Sequence, residues 1–343
     1  MWEIVASFPI LRMQSAVIRC ILLYMSKQTA ITTITLNPSV DFSTSAKKIR
    51  PDHKIRCAAP SRDPGGGGVN VARAVHLLGG QACAFVAVGG HMGHVLSGLM
   101  SEQGVPLHPF EIAGETRQSM AVIERRSGAQ YRFVTPGPVW DHAQVSRALA
   151  EITSLAPANG LMVLSGSNPP GVPKDFAAQL MGCMGRDSCK LIVDTSGKAL
   201  KQLTESTGQA PYLLRMDQAE AVEMAGQPID SITELASFAR SLVLRGVAEV
   251  VILALGAHGS VLATATQSWH ATAADVPVVS KVGAGDSFVG ALSLALAKNE
   301  ALPDALQKGT AAASAAVMTD ATKLCVRSQV DALIAQCPVV KLD

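Results

Sequence analysis

The sequence predicts an α/β fold: a three-layer α/β/α sandwich with a mostly parallel central sheet and a small β-sheet lid. Three observations carry that expectation. Short apolar β-branched runs, Leu161-Met162-Val163-Leu164, Leu191-Ile192-Val193 and Val250-Val251-Ile252-Leu253, read as strands buried on both faces. Ala-rich stretches of helical length lie between such runs, and strands that alternate with helices favour parallel pairing with helices on both sides of the sheet. A different texture, two alternating stretches flanking Ser127-Gly128, reads as a hairpin outside that rhythm.

In chain order, the first convincing strand is 31–36, followed by strand-like stretches near Val40 and at 54–58. A run of glycines then opens a helix at about 69–78. The hairpin at 119–124 and 130–134 follows, and lid strands drawn from about 38–60 and 112–135 would build the small sheet. Further helices are expected at about 141–154, 173–185, 230–245 and 302–318, and a small-residue helix is expected from Gly283 to about Ala297. Residues 1–28 read differently, being apolar with Arg12, Arg19 and Lys27 against the single acid Glu3. A targeting segment is one reading, without a clear small-residue cleavage site. The preferred expectation makes Met25 the natural start and the preceding residues an extension outside the fold.

Composition narrows the class. With 48% apolar and 16% charged residues and no apolar run of membrane-spanning length, the chain reads as a globular protein with no membrane partner. A net charge of +2 without a basic cluster argues against nucleic acid. The seven cysteines form no CxxC pair and no metal-ligand spacing, so a reducing, cytoplasmic setting is expected.

Two motifs carry chemistry. In Val282-Gly283-Ala284-Gly285-Asp286-Ser287, glycines let backbone amides crowd an anion where a helix begins, and the positive end of that helix adds to the same spot. Asp286 at that mouth is the candidate catalytic base, with Gly283, Ala284 and Gly285 supplying the anion hole. The same tetrapeptide also reads as an ordinary helix N-terminus with an Asp in its first turn. The second motif, Pro64-Gly65-Gly66-Gly67-Gly68-Val69-Asn70, admits a ligand close to the backbone at Gly66, Gly67 and Gly68, and Asn70 can both donate to and accept from a polyol. Its spacing fails the G-x-G-x-x-G dinucleotide fingerprint, and no Walker A loop is present. Alone, the glycine run also reads as a flexible turn.

These motifs, with Thr35-Leu36-Asn37-Pro38-Ser39-Val40-Asp41, Lys54-Ile55-Arg56-Cys57, Thr116-Arg117-Gln118, Tyr131-Arg132-Phe133, Ser165-Gly166-Ser167-Asn168-Pro169-Pro170-Gly171 and Lys323-Leu324-Cys325, resemble the PfkB (ribokinase-like) carbohydrate kinase family. The resemblance implies a ribokinase-like fold and a kinase domain over 29–343. The unbroken Gly65 to Gly68 matches the branch acting on fructose 6-phosphate, since the branches acting on fructose 1-phosphate or tagatose 6-phosphate usually carry a lysine in that run.

The resemblance further implies roles for individual residues. Asp41 would accept from sugar hydroxyls, Ser167 would lie beside the sugar, and Lys54, Arg117 and Arg132 would hold the phosphate already on it. The hairpin would close as a lid, exclude water and pack against its twin in a homodimer. On the nucleotide side, the usual Lys-Pro-Asn-x-x-Glu segment reads Arg215-Met216-Asp217-Gln218-Ala219-Glu220, which assigns Arg215 to the nucleotide and Asp217 and Glu220 to Mg2+ carried with ATP. The usual Ser-x-Gly-x-x-Gly reads Ala254-Leu255-Gly256-Ala257-His258-Gly259, keeping Gly256 and Gly259 and losing the hydroxyl at Ala254. Lys281, after Ser280, stands where the family has Thr, and Thr310 and Ser314 would lie near the nucleotide, although such hydroxyls in an Ala-rich helix also serve as packing. K+ is a candidate second cation.

The activity implied is in-line transfer from Mg-ATP to the C1 hydroxyl of fructose 6-phosphate. Tagatose 6-phosphate or fructose 1-phosphate as acceptor, and a catalytically weak paralogue that binds sugar phosphate, are the alternatives.

Overall fold

The computed structural model describes residues 28–184, 189–205, 209–320 and 322–342. The expected extension before Gln28 and the last residue of the helix expected at 173–185 lie outside the described residues. From the amino end, β1 (Ile31–Thr35), β2 (Ser39–Ala46) and β3 (Ser61–Gly65) lead into α1 (Gly67–Leu77), then β4 (Cys83–Val88) and α2 (Gly90–Glu102). Next come β5 (Leu107–Glu111), β6 (Arg117–Glu124), β7 (Gln130–Val134) and α3 (His142–Ser154). An alternating stretch follows: β8 (Leu161–Ser165), α4 (Phe176–Met184), β9 (Lys190–Asp194), α5 (Gly197–Glu205), β10 (Leu213–Asp217), α6 (Gln218–Ala225), α7 (Ile232–Leu244) and β11 (Val250–Ala254). The chain closes with β12 (Ser260–Ala263), β13 (Ser268–Ala271), α8 (Ala284–Ala297), α9 (Leu302–Ala316), α10 (Arg327–Leu333) and β14 (Val339–Leu342).

The described residues form a ten-stranded sheet in the order β14-β13-β12-β11-β10-β9-β8-β1-β4-β5. Pairing is parallel from β11 to β5, and β12 to β14 extend one edge with antiparallel pairs. Period-2 alternation builds a core on each face. Along β4, Phe85 and Ala87 join Val145 and Ile152 of α3 and Leu180 of α4. Their neighbours Ala84 and Val86 join Val69 and Val75 of α1 and Val289 and Leu292 of α8 on the opposite face. That is the three-layer sandwich expected, and the buried strands are the apolar runs named above.

Helix starts follow local chemistry. Asp141 accepts from the Gln144 amide at 2.7 Å while the Gln144 side chain accepts from the Asp141 amide at 3.0 Å, a reciprocal box that opens α3. Ser231 and Glu234 do the same for α7.

The lid is a separate four-stranded sheet in the order β3-β2-β6-β7. The hairpin falls as expected, with Gly128 at φ 73° in its turn. The third element differs from expectation. The 54–58 stretch contributes only an isolated bridge from Cys57 to Ala46, and β3 lies beyond it, at Ser61–Gly65. Arg62, Asp63 and Pro64 pair with Phe42, Asp41 and Val40, so the strand runs into the first glycine of the glycine run, and α1 starts at Gly67.

Candidate active site

Gly283 caps α8 with φ 79°, a left-handed conformation that favours glycine, and a Cβ there would stand 2.7 Å from Leu324 Cδ2. The turn therefore aims the first-turn amides of α8 into the crevice at the carboxyl ends of the parallel strands, where this class of sheet binds ligands. Close packing of α1 on α8 brings the two motifs together. A Cβ on Gly290 would lie 2.6 Å from Ala74 Cβ, so glycine at that crossing lets α1 approach. Asn70, in the first turn of α1, then donates from Nδ2 to Asp286 Oδ2 at 2.8 Å.

Asp286 sits amid opposed charges. Burial, and secondarily the neighbouring Asp194 carboxylate, push its acid up to about 7 against the Asn70 hydrogen bond and the positive charges of Arg215 and Arg73. A carboxylate poised near neutrality is suited to take a proton from an alcohol. Asp194 ends β9, accepts from Ser165 Oγ at 3.0 Å, and pairs with Arg215 Nη1 at 3.0 Å. Arg215 projects from β10 so that its Nη2 stands 3.2 Å from where a Cβ on Gly285 would be, over the anion hole. Its Nε is buried without a hydrogen-bond partner, a donor left for an anionic ligand.

Asp217 and Glu220 form a capping box on α6: Asp217 Oδ1 accepts from the Glu220 amide and Glu220 Oε2 from the Asp217 amide, each at 2.9 Å. Burial raises the Glu220 acid, Asp217 adds to that rise, and the Asp217 amide opposes it. Among the described residues no three acidic, His or Cys groups converge as a ready metal cage. Each of the two carboxylates nonetheless keeps an oxygen outside the box, which suits Mg2+ bound with its waters and ATP phosphates.

On the sugar side, register places Asp41, Ser119 and Val134 across β2, β6 and β7 on one face of the lid, with Ala121 and Arg132 paired two residues along. Asp41, Ser119 and Arg132 line a cleft with Val282 and Thr322, so this face looks onto the glycine loop that opens α8. Asp41 stands inside β2 and not at a strand end; Ser39 Oγ donates to it at 2.6 Å. Burial raises its acid, opposed by Ser39, Arg117, Arg132 and Arg73. Arg117 donates to the Asn37 carbonyl at 3.2 Å and to Ser119 Oγ at 3.1 Å. Ser167 accepts from Asn37 Nδ2 at 3.2 Å, beside the junction where Gly66 (φ 116°), Gly67 and Gly68 open α1. Lys54 is exposed between β2 and β3 and does not line that cleft.

Several of the other nucleotide-side candidates are neighbours: Ala254 pairs with Asp217 across β11 and β10, a Cβ on Gly259 would meet the Ala271 carbonyl, and the Ala274 amide donates to Ser314 Oγ at 3.3 Å. Ala254 ends β11, Gly256 begins a single 3-10 turn, Gly259 follows it, and Lys281 is exposed. Ser280 is buried and its hydroxyl accepts from the Val282 amide at 3.2 Å. Thr310 and Ser314 are buried, and their hydroxyls donate within α9 to the Leu306 and Thr310 carbonyls at 2.9 and 3.0 Å. Asp194 and Arg73 escaped the sequence reading. Asp194 directly follows the apolar run Leu191-Ile192-Val193, and a carboxylate at the carboxyl end of a buried parallel strand was the signal available.

The chain is similar to known proteins over most of its length. The model of the pfkB family carbohydrate kinases matches residues 31–329. The chain is 39% identical over 301 residues, 88% of each sequence, to ATP-dependent 6-phosphofructokinase isozyme 2 of Mycobacterium tuberculosis. It is 37% identical over 295 residues to the enzyme of the same description from Escherichia coli, covering 86% of this chain and 94% of that one. The crystal structure of phosphofructokinase-2 from Escherichia coli in complex with fructose-6-phosphate superposes with a TM-score of 0.83 at 33% identity, over 90% of this chain and 99% of that one. The family match spans both glycine motifs, the lid and the α8 start that hold Asp286, and the chain belongs to the pfkB family of carbohydrate kinases.

Proposed function

We propose that the chain is an ATP-dependent 6-phosphofructokinase that phosphorylates the C1 hydroxyl of fructose 6-phosphate, within a kinase domain over 29–343. One observation carries the reading: a carboxylate with its acid at about 7 heads a helix whose amides face a cleft roofed by the lid face that carries Asp41 and Arg132. Asp286 accepts the proton of the attacking hydroxyl while the Gly283, Ala284 and Gly285 segment and Arg215 stabilise charge on the transferred group. No covalent phosphoenzyme is needed. Asp217 and Glu220 would hold Mg2+, which supplies charge neutralisation of the ATP phosphates when bound. Likeness to relatives of this description at 37–39% identity supports the substrate. No described helix is long and apolar enough to cross a membrane, and with the reduced-thiol reading of the sequence we assign the enzyme to the cytoplasm.

Magnesium-dependent ADP release with fructose 6-phosphate, run beside fructose 1-phosphate and tagatose 6-phosphate, tests the reading. Turnover should be highest with the first. Sugar binding without turnover on any of the three would overturn it in favour of a binding protein. Arg117→Ala should raise KM for the phosphorylated sugar about tenfold or more with little change in kcat, the cost of one charge-assisted phosphate contact. An unchanged KM removes Arg117 from the site.

The outer lid face supports a homodimer. Opposite the face that carries Asp41 and Arg132, Phe42, Met120 and Phe133 pair across the sheet, with Tyr131 beside Val122. Phe133 is 55% and Met120 44% exposed, a contiguous apolar face of the kind that marks an interface. A second copy placing the same lid there would cover it. Sedimentation equilibrium should show a dimer, and Phe133→Glu a monomer; a monomeric parent protein contradicts this.

A further inference from the structure

We propose that Arg73 is a positioning residue for the phosphoryl transfer inferred above, a reading on which this inference rests: it locks the Asn70 amide in the orientation that donates to Asp286 and ties that orientation to lid strand β3. Arg73 is 6% exposed and lies one helical turn beyond Asn70 on α1. Its Nη1 donates to Asn70 Oδ1 at 2.9 Å and to the Pro64 carbonyl at 3.0 Å, and its Nε donates to Oε1 of Gln103, the residue that caps the end of α2, at 2.7 Å. Nη2 stands 3.6 Å from Asp63 Oδ1, and the other oxygen of Asp63 accepts from Thr322 Oγ1 at 2.6 Å.

The consequence follows from donor chemistry. A guanidinium has donors only, so the Asn70 atom that meets it must be the carbonyl oxygen. The amide nitrogen is then directed at Asp286, where its N–H favours the ionised carboxylate. Without Arg73 the amide is free to turn over and face Asp286 with an oxygen, which favours the protonated acid and removes the base. The groups that face Asp286 are Asn70 and Arg73 from α1, Asp194 from β9 and Arg215 from β10, and of these Arg73 alone also grips the lid. β3 pairs with β2, which carries Asp41, so the sugar-binding sheet is held in register with the base by one buried cation. An apolar side chain would fill this volume without leaving a charge to compensate, so packing by itself does not account for the guanidinium.

The test is the pH dependence of kcat/KM for fructose 6-phosphate in Arg73→Met, Arg73→Lys, Asn70→Leu and the Met-Leu double variant, with Asp286→Asn as the blank. Arg73→Met is expected to lower kcat about tenfold or more and move the acid limb up by about one pH unit, while Arg73→Lys restores most of both. Because Arg73 acts mainly through Asn70, adding Arg73→Met to Asn70→Leu should move the limb much less than Arg73→Met does alone, the remainder being the direct pull of its charge on Asp286. Additive shifts would show that Arg73 acts by its charge alone, and a wild-type limb in folded Arg73→Met would show no role; either overturns the proposal. Should Arg73→Met not fold, Arg73→Leu, which likewise has no donor for Asn70, is read the same way. Activity surviving in Asp286→Asn would sink the base assignment itself, whereas an inactive blank with additive shifts sinks only the role of Arg73.

Discussion

Asp286→Asn is expected to lower kcat by about a thousandfold or more, roughly 4 kcal/mol of barrier, while leaving the affinity for the phosphorylated ketohexose nearly intact. The amide keeps the shape of the carboxylate and can still accept from Asn70, so the fold and the sugar cleft are retained. What it loses is the capacity to take the proton. Relief from the Asp194 charge, which with burial pushes the wild-type acid to about 7, should make the variant no less stable. The same value sets the pH dependence. The base must be ionised, so kcat/KM should fall as pH drops through about 7 and level off above it. Near-normal turnover in Asp286→Asn, or a flat profile between about pH 6 and 8, would remove Asp286 from its role.

Arg215→Met is expected to cut kcat/KM for Mg-ATP by about a hundredfold, the scale of losing one preorganised donor to developing charge. It should also destabilise the fold by about 3 kcal/mol, because Asp194 stays buried without its partner. Loss of that cation leaves the Asp194 charge opposed at Asp286 by Asn70 and Arg73 without Arg215, so the acid limb should move to higher pH. Arg215→Lys, the residue usual in the family, should recover most of the activity with less of the stability, since a point charge cannot span Asp194 and the anion hole as a fork does. Denaturant midpoints and steady-state kinetics on the two variants separate the effects. Arg215→Met with wild-type kinetics would make Arg215 a structural partner of Asp194 and nothing more.

Much of this was legible before the structure. The buried strands announce themselves as apolar β-branched runs because a parallel strand covered on both faces has no polar side to show. Asp286 was legible as a candidate because an anion hole at a helix start needs glycine next to the functional group, and that constraint is local. The strand β3 was misplaced because Arg62-Asp63-Pro64 carries no alternation of apolar residues; it becomes a strand only by pairing with β2, a tertiary fact. Thr310 and Ser314 look alike in sequence whether they face a ligand or the neighbouring turn, since a hydroxyl in an Ala-rich helix serves either.

The sequence by itself determined the layer architecture, the two glycine motifs, the lid hairpin and the family, since each depends on residue type and spacing along the chain. Only the tertiary structure decided how the base is tuned. Asp194, Arg215, Asn70 and Arg73 come from β9, β10 and α1, and their charges reach Asp286 through space and not along the chain. A pKa is the sum of burial and neighbouring charge, and neither quantity exists until the elements have packed.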